Sequence, residues 1–130
     1  MKIAHIAIWT NNLELLRDFY CYFFDAKSNE MYINPVKLFN SYFLTFETGG
    51  CNLELMYQPN LDHSVDEELK HETGLAHFAF SVGSKEAVDL LTERFRESGY
   101  KVISEPRYTG DGFYESAIND PDENIVEITI

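Results

Sequence analysis

The feature that most constrains this chain is an internal repeat, because one short apolar segment is written twice. His5-Ile6-Ala7-Ile8 returns as His77-Phe78-Ala79-Phe80. An amphipathic helical pattern follows each copy, and an apolar strand with one internal glutamate follows later. Glu54 lies 49 positions after His5, and Glu127 lies 50 positions after His77. A shared register at so long a period predicts two copies of one module.

Side-chain alternation predicts that the repeated histidines and glutamates occupy one face of their strands. Successive side chains of a strand point to opposite faces, so Ile6 and Ile8 lie opposite His5. Each module would then have an apolar back, which its helix can cover, and a mixed front. The fronts of four strands can converge on His5, Glu54, His77 and Glu127.

Two imidazoles and two carboxylates form a mixed nitrogen and oxygen ligand set for one divalent transition metal. A single strand histidine is more often a hydrogen-bonded core residue, and a single strand glutamate is more often solvated. Four such positions in matched register favour a metal, because unpaired buried carboxylates are costly and require a cation or protons. Nickel, zinc, manganese, cobalt and iron all accept these ligands, so the sequence leaves the metal open.

Length and charge narrow the class of protein. The 130 residues, 45% of them hydrophobic, fit one domain with modules at 1–59 and 75–130 and a polar, acidic linker at 60–74. The net charge of -12 argues against a nucleic-acid or anionic membrane partner, since proteins bind both mainly through Lys and Arg.

The apolar run at residues 3–9 is too short for a signal sequence or a membrane-spanning helix, so we expect a cytoplasmic protein. Cys21 and Cys51 are expected to be reduced thiols.

Local patterns predict an α+β chain with the same element order in both modules. One helix is predicted after a cap at Asn11, with Glu14 completing a capping box, and another between Ser84 and Gly99. The repeated segment at His77 is predicted to be a strand. Further strands are predicted at residues 3–9, 27–33, 42–47, 52–58, 101–105, 113–118 and 125–130.

Two strand-helix-strand-strand-strand modules, with candidate ligands on the first and last strand of each, resemble the vicinal oxygen chelate superfamily. That superfamily includes glyoxalase I (lactoylglutathione lyase), methylmalonyl-CoA epimerase, fosfomycin-resistance proteins, extradiol dioxygenases and bleomycin-resistance proteins. The resemblance covers essentially the whole chain and includes the Asp120-Pro121-Asp122 turn before Glu127. It implies two βαβββ modules that form a curved, mostly antiparallel eight-stranded sheet cup with helices on the outer face. Glu123 stands where the family turn usually has glycine, so a slightly different loop geometry is expected.

Ligand number relates the chain to glyoxalase I, because three protein ligands or none are usual in the resistance proteins and dioxygenases. Four ligands leave two positions of an octahedral ion open for adjacent substrate oxygens. The resemblance therefore implies a metal-dependent lyase or isomerase that moves a proton next to a metal-chelated hydroxy-carbonyl or hemithioacetal. It implies Glu127 as the catalytic base, with Glu54 as the other candidate.

Two further function classes stay open at this point. One is a different metalloenzyme of the superfamily, either a thiol- or antibiotic-modifying transferase or a dioxygenase. The other is a metal-free protein that binds a small molecule. The resemblance also implies a homodimer with metal sites shared between modules, although the linker permits pairing within one chain or between two.

The substrate is a small molecule whose identity the sequence leaves open. Trp9 occupies the position, four residues beyond the first ligand, where glyoxalase I proteins commonly carry an arginine for the glutathione carboxylates. An indole cannot form that bidentate ion pair, which argues against a glutathione adduct. Arg107 is interpreted as a surface residue rather than an anion site. Four further aromatic residues either line a pocket or pack in the core: Tyr42, Tyr108, Phe113 and Tyr114.

Overall fold

The computed structural model of the protein describes residues 4–59, 75, 77–110 and 112–130. The chain divides into two compact units, unit 1 (Met1–Asp66) and unit 2 (Glu67–Ile130), each with its own helix and its own sheet. The predicted linker at residues 60–74 lies outside the described residues, so the predicted module boundaries stay predictions. No helix in the described ranges is long and apolar enough to cross a membrane.

Unit 1 consists of one helix and a five-stranded mixed sheet. In chain order its elements are β1 (His5–Trp9), α1 (Leu13–Phe24), β2 (Lys27–Ser28), β3 (Tyr32–Asn34), β4 (Phe39–Thr45) and β5 (Asn52–Tyr57). The strand order is β1-β5-β4-β2, and β3 pairs separately with β4. β1 runs parallel to β5, while the other pairs are antiparallel. The first strand of the chain therefore lies directly beside the last strand of its unit.

Unit 2 repeats this arrangement with a four-stranded mixed sheet. Its elements are β6 (Phe78–Ser81), α2 (Lys85–Glu97), β7 (Val102–Tyr108), β8 (Tyr114–Asn119) and β9 (Ile125–Thr129). The strand order is β6-β9-β8-β7, and β6 runs parallel to β9. Two helices and two mixed sheets confirm the predicted α+β class.

In each unit the helix covers one face of the sheet, called here the back; the other face is the front. The α1 stripe packs on β4 and β5, whose back-facing leucines are fully or almost fully buried. Those stripe residues are Leu13, Leu16, Phe19, Tyr20 and Phe23. In unit 2, Val88, Leu91 and Phe95 of α2 are likewise buried, and α2 packs on β7, β8 and β9. Each such aliphatic or aromatic side chain stabilises its unit by roughly 1.5–3 kcal/mol relative to exposure.

The start of α1 differs from the prediction by one residue. Asn12, not Asn11, is the N-cap: its side-chain oxygen accepts a hydrogen bond from the Leu15 N–H at 3.1 Å. The predicted capping box between Asn11 and Glu14 is therefore wrong, and Glu14 accepts the Tyr42 hydroxyl at 2.7 Å instead. The cap is therefore the second of two neighbouring asparagines, a residue type that is favoured at either position, so the sequence alone could not distinguish them.

The start of α2 agrees with the prediction. The Ser84 hydroxyl oxygen accepts a hydrogen bond from the Ala87 N–H at 3.1 Å, which confirms the predicted cap. Gly99 follows the helix with φ 83, a left-handed conformation that glycine adopts without a steric penalty.

The weak strand predicted at residues 27–33 is two short strands, β2 and β3. Between them the Asn29 side chain accepts a hydrogen bond from the Phe43 N–H at 2.7 Å, and the Asn29 N–H donates to the Phe43 carbonyl at 3.1 Å. A side-chain oxygen thus replaces one backbone acceptor of the ladder and interrupts the strand. β4 begins at Phe39 rather than the predicted residue 42, because Phe39 to Ser41 pair with β3.

β7 extends three residues beyond its predicted end, through Pro106. The register of β7 against β8 shifts twice, between Val102 and Ser104 and between Ser104 and Arg107. Proline lacks the N–H of a ladder, so it is tolerated on an edge strand with bulges. β7 is such an edge strand.

Candidate metal centre

The first half-site consists of His5 on β1 and Glu54 on β5. In the parallel register His5 lies opposite Asn52 and Glu54 lies opposite Ala7, so the histidine and glutamate are diagonal neighbours on the front. Their side chains meet with His5 Nε2 at 3.8 Å from Glu54 Oε2. The Phe43 ring stands edge-on to the imidazole, with centroids 5.4 Å apart at 76°. The Phe43 ring therefore limits the movement of this imidazole on one side.

The second half-site, His77 and Glu127, has the same diagonal geometry. His77 immediately precedes β6, and Glu127 on β9 lies opposite Ala79, two residues beyond the histidine. His77 Nε2 is 3.2 Å from Glu127 Oε2. The structure thus brings the predicted residues together within each unit, as two pairs with one geometry.

Both half-sites combine an accessible imidazole with a largely covered carboxylate. The side chains of His5 and His77 are each 47% exposed, whereas Glu54 is 15% and Glu127 is 22% exposed. Among the described residues neither glutamate has an ion pair with Arg or Lys; the arginine ion pairs involve Glu14, Asp18, Glu93 and Glu105. A covered carboxylate without a fixed cation is costly, and a metal ion held by the histidine and the glutamate would offset that cost.

The spacing of donor atoms in each half-site fits a shared metal ion. Two ligands that each bind at about 2.0–2.2 Å and subtend a right angle lie about 3 Å apart. The separation of 3.2 Å in the second half-site is close to this value, whereas the 3.8 Å separation in the first is longer and corresponds to a wider angle. Each pair could supply two ligands, and no group of three or more His, Cys, Asp or Glu side chains with metal-binding geometry occurs in the described part of the chain.

Two buried oxygens on the same front as Glu127 have no hydrogen-bond partner among the described residues. They are Asn119 Oδ1 and Thr129 Oγ1. Thr129 follows Glu127 by two residues on β9, and Asn119 pairs with Ile125 on the same face. An unpaired buried polar group costs about 1–3 kcal/mol, so a bound polar molecule beside Glu127 would be stabilised here.

Tyr42 and Tyr114, which the sequence left undecided, pack toward the helices. The Tyr42 hydroxyl donates to Glu14 at 2.7 Å and accepts from Arg17 at 2.9 Å; the bond to the Glu14 carboxylate, with burial, raises the pKa of Tyr42. The Tyr114 hydroxyl donates to Asp89 at 2.7 Å, and this bond raises the pKa of Tyr114 to about 12. Both phenols hold their helix against the sheet.

The remaining undecided residues lie at the surface. Tyr108 is 66% and Phe113 50% exposed, at either end of the hairpin that joins β7 to β8. Arg107 is exposed, and its guanidinium donates to the Ser104 hydroxyl. Cys21 and Cys51 are free thiols, as predicted, and burial raises the pKa of Cys21.

Sequence reasoning missed an aromatic cluster on the front of unit 1, formed by Trp9, Tyr32 and Phe39. The rings of Trp9 and Tyr32 each lie 6.2 Å from the Phe39 ring, measured between centroids. Alternation along β1 already placed Trp9 on the same face as His5. Phe39 was not assigned to this face because the predicted start of its strand, residue 42, was three residues too late.

The comparisons with known proteins agree with this architecture. A profile of the Glyoxalase/Bleomycin resistance protein/Dioxygenase superfamily matches residues 2–128. A glyoxylase/bleomycin resistance protein/dioxygenase domain from Frankia sp. EAN1pec superposes with a TM-score of 0.82 at 18% identity, over 100% of this chain and 97% of that one. The trypanothione-dependent glyoxalase I of Leishmania major superposes with a TM-score of 0.76 at 22% identity, over 99% of this chain and 86% of that one. The uncharacterized protein YqjT of Bacillus subtilis (strain 168) is 41% identical over 58 residues, which span 42% of this chain and 45% of that protein.

Proposed function

The chain belongs to the Glyoxalase/Bleomycin resistance protein/Dioxygenase superfamily, and from this premise we propose that it is a metal-dependent lyase or isomerase of the glyoxalase I type. Its substrate would be a small molecule with a hydroxy-carbonyl or hemithioacetal group, and its reaction would move a proton between the two adjacent carbons. The observation that carries this proposal is the pair of His–Glu half-sites with one diagonal geometry, 3.8 and 3.2 Å apart.

The proposed metal centre combines a first half-site, His5 and Glu54, with a second half-site, His77 and Glu127. His5, Glu54, His77 and Glu127 would hold one divalent transition metal, from a single chain or from two chains of a homodimer; we favour the homodimer. When bound, the ion would polarise the substrate carbonyl and stabilise the negative charge that develops when the neighbouring C–H proton leaves. Four protein ligands would leave room for two substrate oxygens.

Proton transfer is assigned to a carboxylate of the centre. By resemblance to glyoxalase I, Glu127 takes the proton from one carbon and returns it to the next, and Glu54 is the second candidate. Support comes from the low exposure of Glu127, 22%, because little bulk water reaches the carboxylate that would carry the proton. His77 Nε2, 3.2 Å from its Oε2, is positioned to orient it.

Solvent deuterium exchange tests the proposal without knowledge of the natural substrate. Metal-loaded protein in D₂O should exchange the C–H next to the carbonyl of a 2-hydroxy ketone or hemithioacetal, as followed by NMR. Glu127→Gln should keep most of its metal and lose at least about a hundredfold in exchange rate, because the amide cannot accept the proton. Glu97→Gln, a change of an exposed glutamate at the end of α2, should exchange like wild type.

Three results would contradict the proposal. Unchanged exchange in Glu127→Gln would remove the role assigned to that residue. Iron-dependent oxygen uptake or thiol transfer would move the protein to another metalloenzyme of the superfamily. Small-molecule binding that a chelator leaves unaffected, with no exchange, would make it a binding protein.

A further inference from the structure

The two half-sites differ at the residue that lies directly opposite each glutamate on the neighbouring strand. That residue is Phe43 of β4 beside Glu54, and Ala117 of β8 beside Glu127. The Phe43 side chain reaches across β5 to the His5 imidazole on β1, with ring centroids 5.4 Å apart. A methyl group cannot extend across a neighbouring strand, so the second half-site has no equivalent of this ring at that position.

The distance between histidine and glutamate differs as well. His77 Nε2 lies 3.2 Å from Glu127 Oε2, within the donor–acceptor distance of a hydrogen bond. His5 Nε2 lies 3.8 Å from Glu54 Oε2, beyond that distance. No aromatic ring contacts the His77 imidazole in the part of the chain that the structure describes. The first imidazole is therefore supported by a ring, and the second by its own glutamate.

Phe43 is itself held in place by its surroundings. Its N–H donates to Asn29 Oδ1 at 2.7 Å, and its carbonyl accepts the Asn29 N–H at 3.1 Å. Its neighbours along β4, Tyr42 and Leu44, are 6% and 0% exposed on the opposite face of the sheet. The ring thus projects from a fixed backbone, as a support for another side chain requires.

We infer that Phe43 is a positioning residue of the first half-site: its ring, rather than Glu54, holds the His5 imidazole in place. The first half-site then keeps its geometry before a metal binds, whereas the second depends on Glu127. A ligand that is already oriented loses less conformational freedom on binding, and an apolar neighbour limits the access of water to the ion. This inference rests on the proposed function, because it assigns the ring a role in metal binding.

NMR of the metal-free protein tests the support of the imidazole directly. The chain has four histidines, so His5→Gln and His77→Gln assign the two ring signals. Nuclear Overhauser effects between each ring and its own backbone, recorded at about pH 9 where free imidazole is neutral, report whether the ring has one orientation. Phe43→Ala should convert the His5 ring from one orientation to an average of several. Glu54→Ala should leave the His5 ring in its orientation.

The second half-site supplies the matched comparison. The two imidazoles are equally exposed, at 47%, so exposure alone predicts no difference between them. Glu127→Ala should convert the His77 ring to an average of orientations. Phe113→Ala makes the same aromatic-to-alanine change at a residue that is 50% exposed beside β8, and it should change neither ring.

Zinc titration of the full-length protein measures the consequence for metal binding. Phe43→Ala should weaken zinc binding by about tenfold, as expected for a residue that orients a metal ligand. Phe43→Tyr, which keeps the ring, and Phe113→Ala should bind zinc like wild type. Far-UV circular dichroism checks that each variant is folded. Phe43→Leu, which removes the ring and keeps apolar bulk, replaces the alanine variant in both measurements if that variant does not fold.

The outcomes separate this inference from the proposed function. An averaged His5 ring in Phe43→Ala, together with weaker zinc binding, would support the inference. An unchanged His5 ring or unchanged zinc binding in Phe43→Ala, or an averaged His5 ring in Glu54→Ala, would overturn it and leave the metal centre in place. A wild type that binds no zinc, although Phe43 still holds the His5 ring, would support the positioning and overturn the proposed function.

Discussion

At the residue scale, the diagonal between neighbouring parallel strands explains how each histidine meets its glutamate. A period of two along the strand and one long repeat along the chain predicted that these histidines and glutamates share a face, and the structure brings them together in two pairs. The same alternation places Trp9 on the front, but the sequence did not predict the ring cluster because the predicted strand began after Phe39, which belongs to β4. Contacts between distant strands depend on register, which no local pattern in this sequence specified.

The Tyr114–Asp89 hydrogen bond gives a pH-dependent stability. The folded protein raises the pKa of this phenol from 10.0 to about 12, so in this pH range the unfolded chain loses the proton that the folded chain retains. The bond's contribution is complete below pH 10 and decreases as the pH rises to 12. We expect the free energy of unfolding of wild type, from urea titrations, to fall more steeply over this range than that of Tyr114→Phe.

Tyr22→Phe is the matched control, because Tyr22 is 64% exposed on α1. It should follow the wild-type pH dependence. Parallel curves for wild type and Tyr114→Phe between pH 10 and pH 12 would show that the Asp89 bond contributes nothing.

At the element scale, helices were easier to predict than strands. The apolar stripes and the Ser84 cap are local signals, and both agree with the structure. The division of one predicted strand into β2 and β3 depends on a hydrogen bond between Asn29 and Phe43, fourteen residues apart. The extension of β7 through Pro106 likewise depends on its place at the sheet edge. Neither condition can be read from the segment itself.

The α2 cap supplies a prediction at this scale. Ser84→Ala removes the acceptor of the Ala87 N–H and should lower the free energy of unfolding by about 1 kcal/mol. Ser84→Asn, which provides another side-chain oxygen, should lie near wild type. The measurement is urea unfolding followed by far-UV circular dichroism; equal loss in both variants would contradict a capping role.

At the scale of the whole molecule, the repeat predicted that each unit has its own helix and sheet. Neither the repeat nor the side-chain alternation predicts how two units pair. Each unit presents one histidine and one glutamate, so a four-ligand centre requires two units. We propose that the units pair across a homodimer. Light scattering of the metal-loaded protein should give twice the 15.1 kDa of one chain. A stable monomer with full metal occupancy would contradict the dimer while leaving the centre in place.

The central claim is that the two half-sites share one metal ion. The measurement that tests it most directly is elemental analysis of tag-free protein purified without chelator, compared with His5→Ala and Glu127→Ala, one from each half-site. Glu97→Ala is the control, since it removes an exposed carboxylate of α2. Near one transition metal per chain in wild type and control, lost in both half-site variants, is the predicted result. No metal in wild type even after reconstitution, or full metal occupancy in either His5→Ala or Glu127→Ala, would contradict the account.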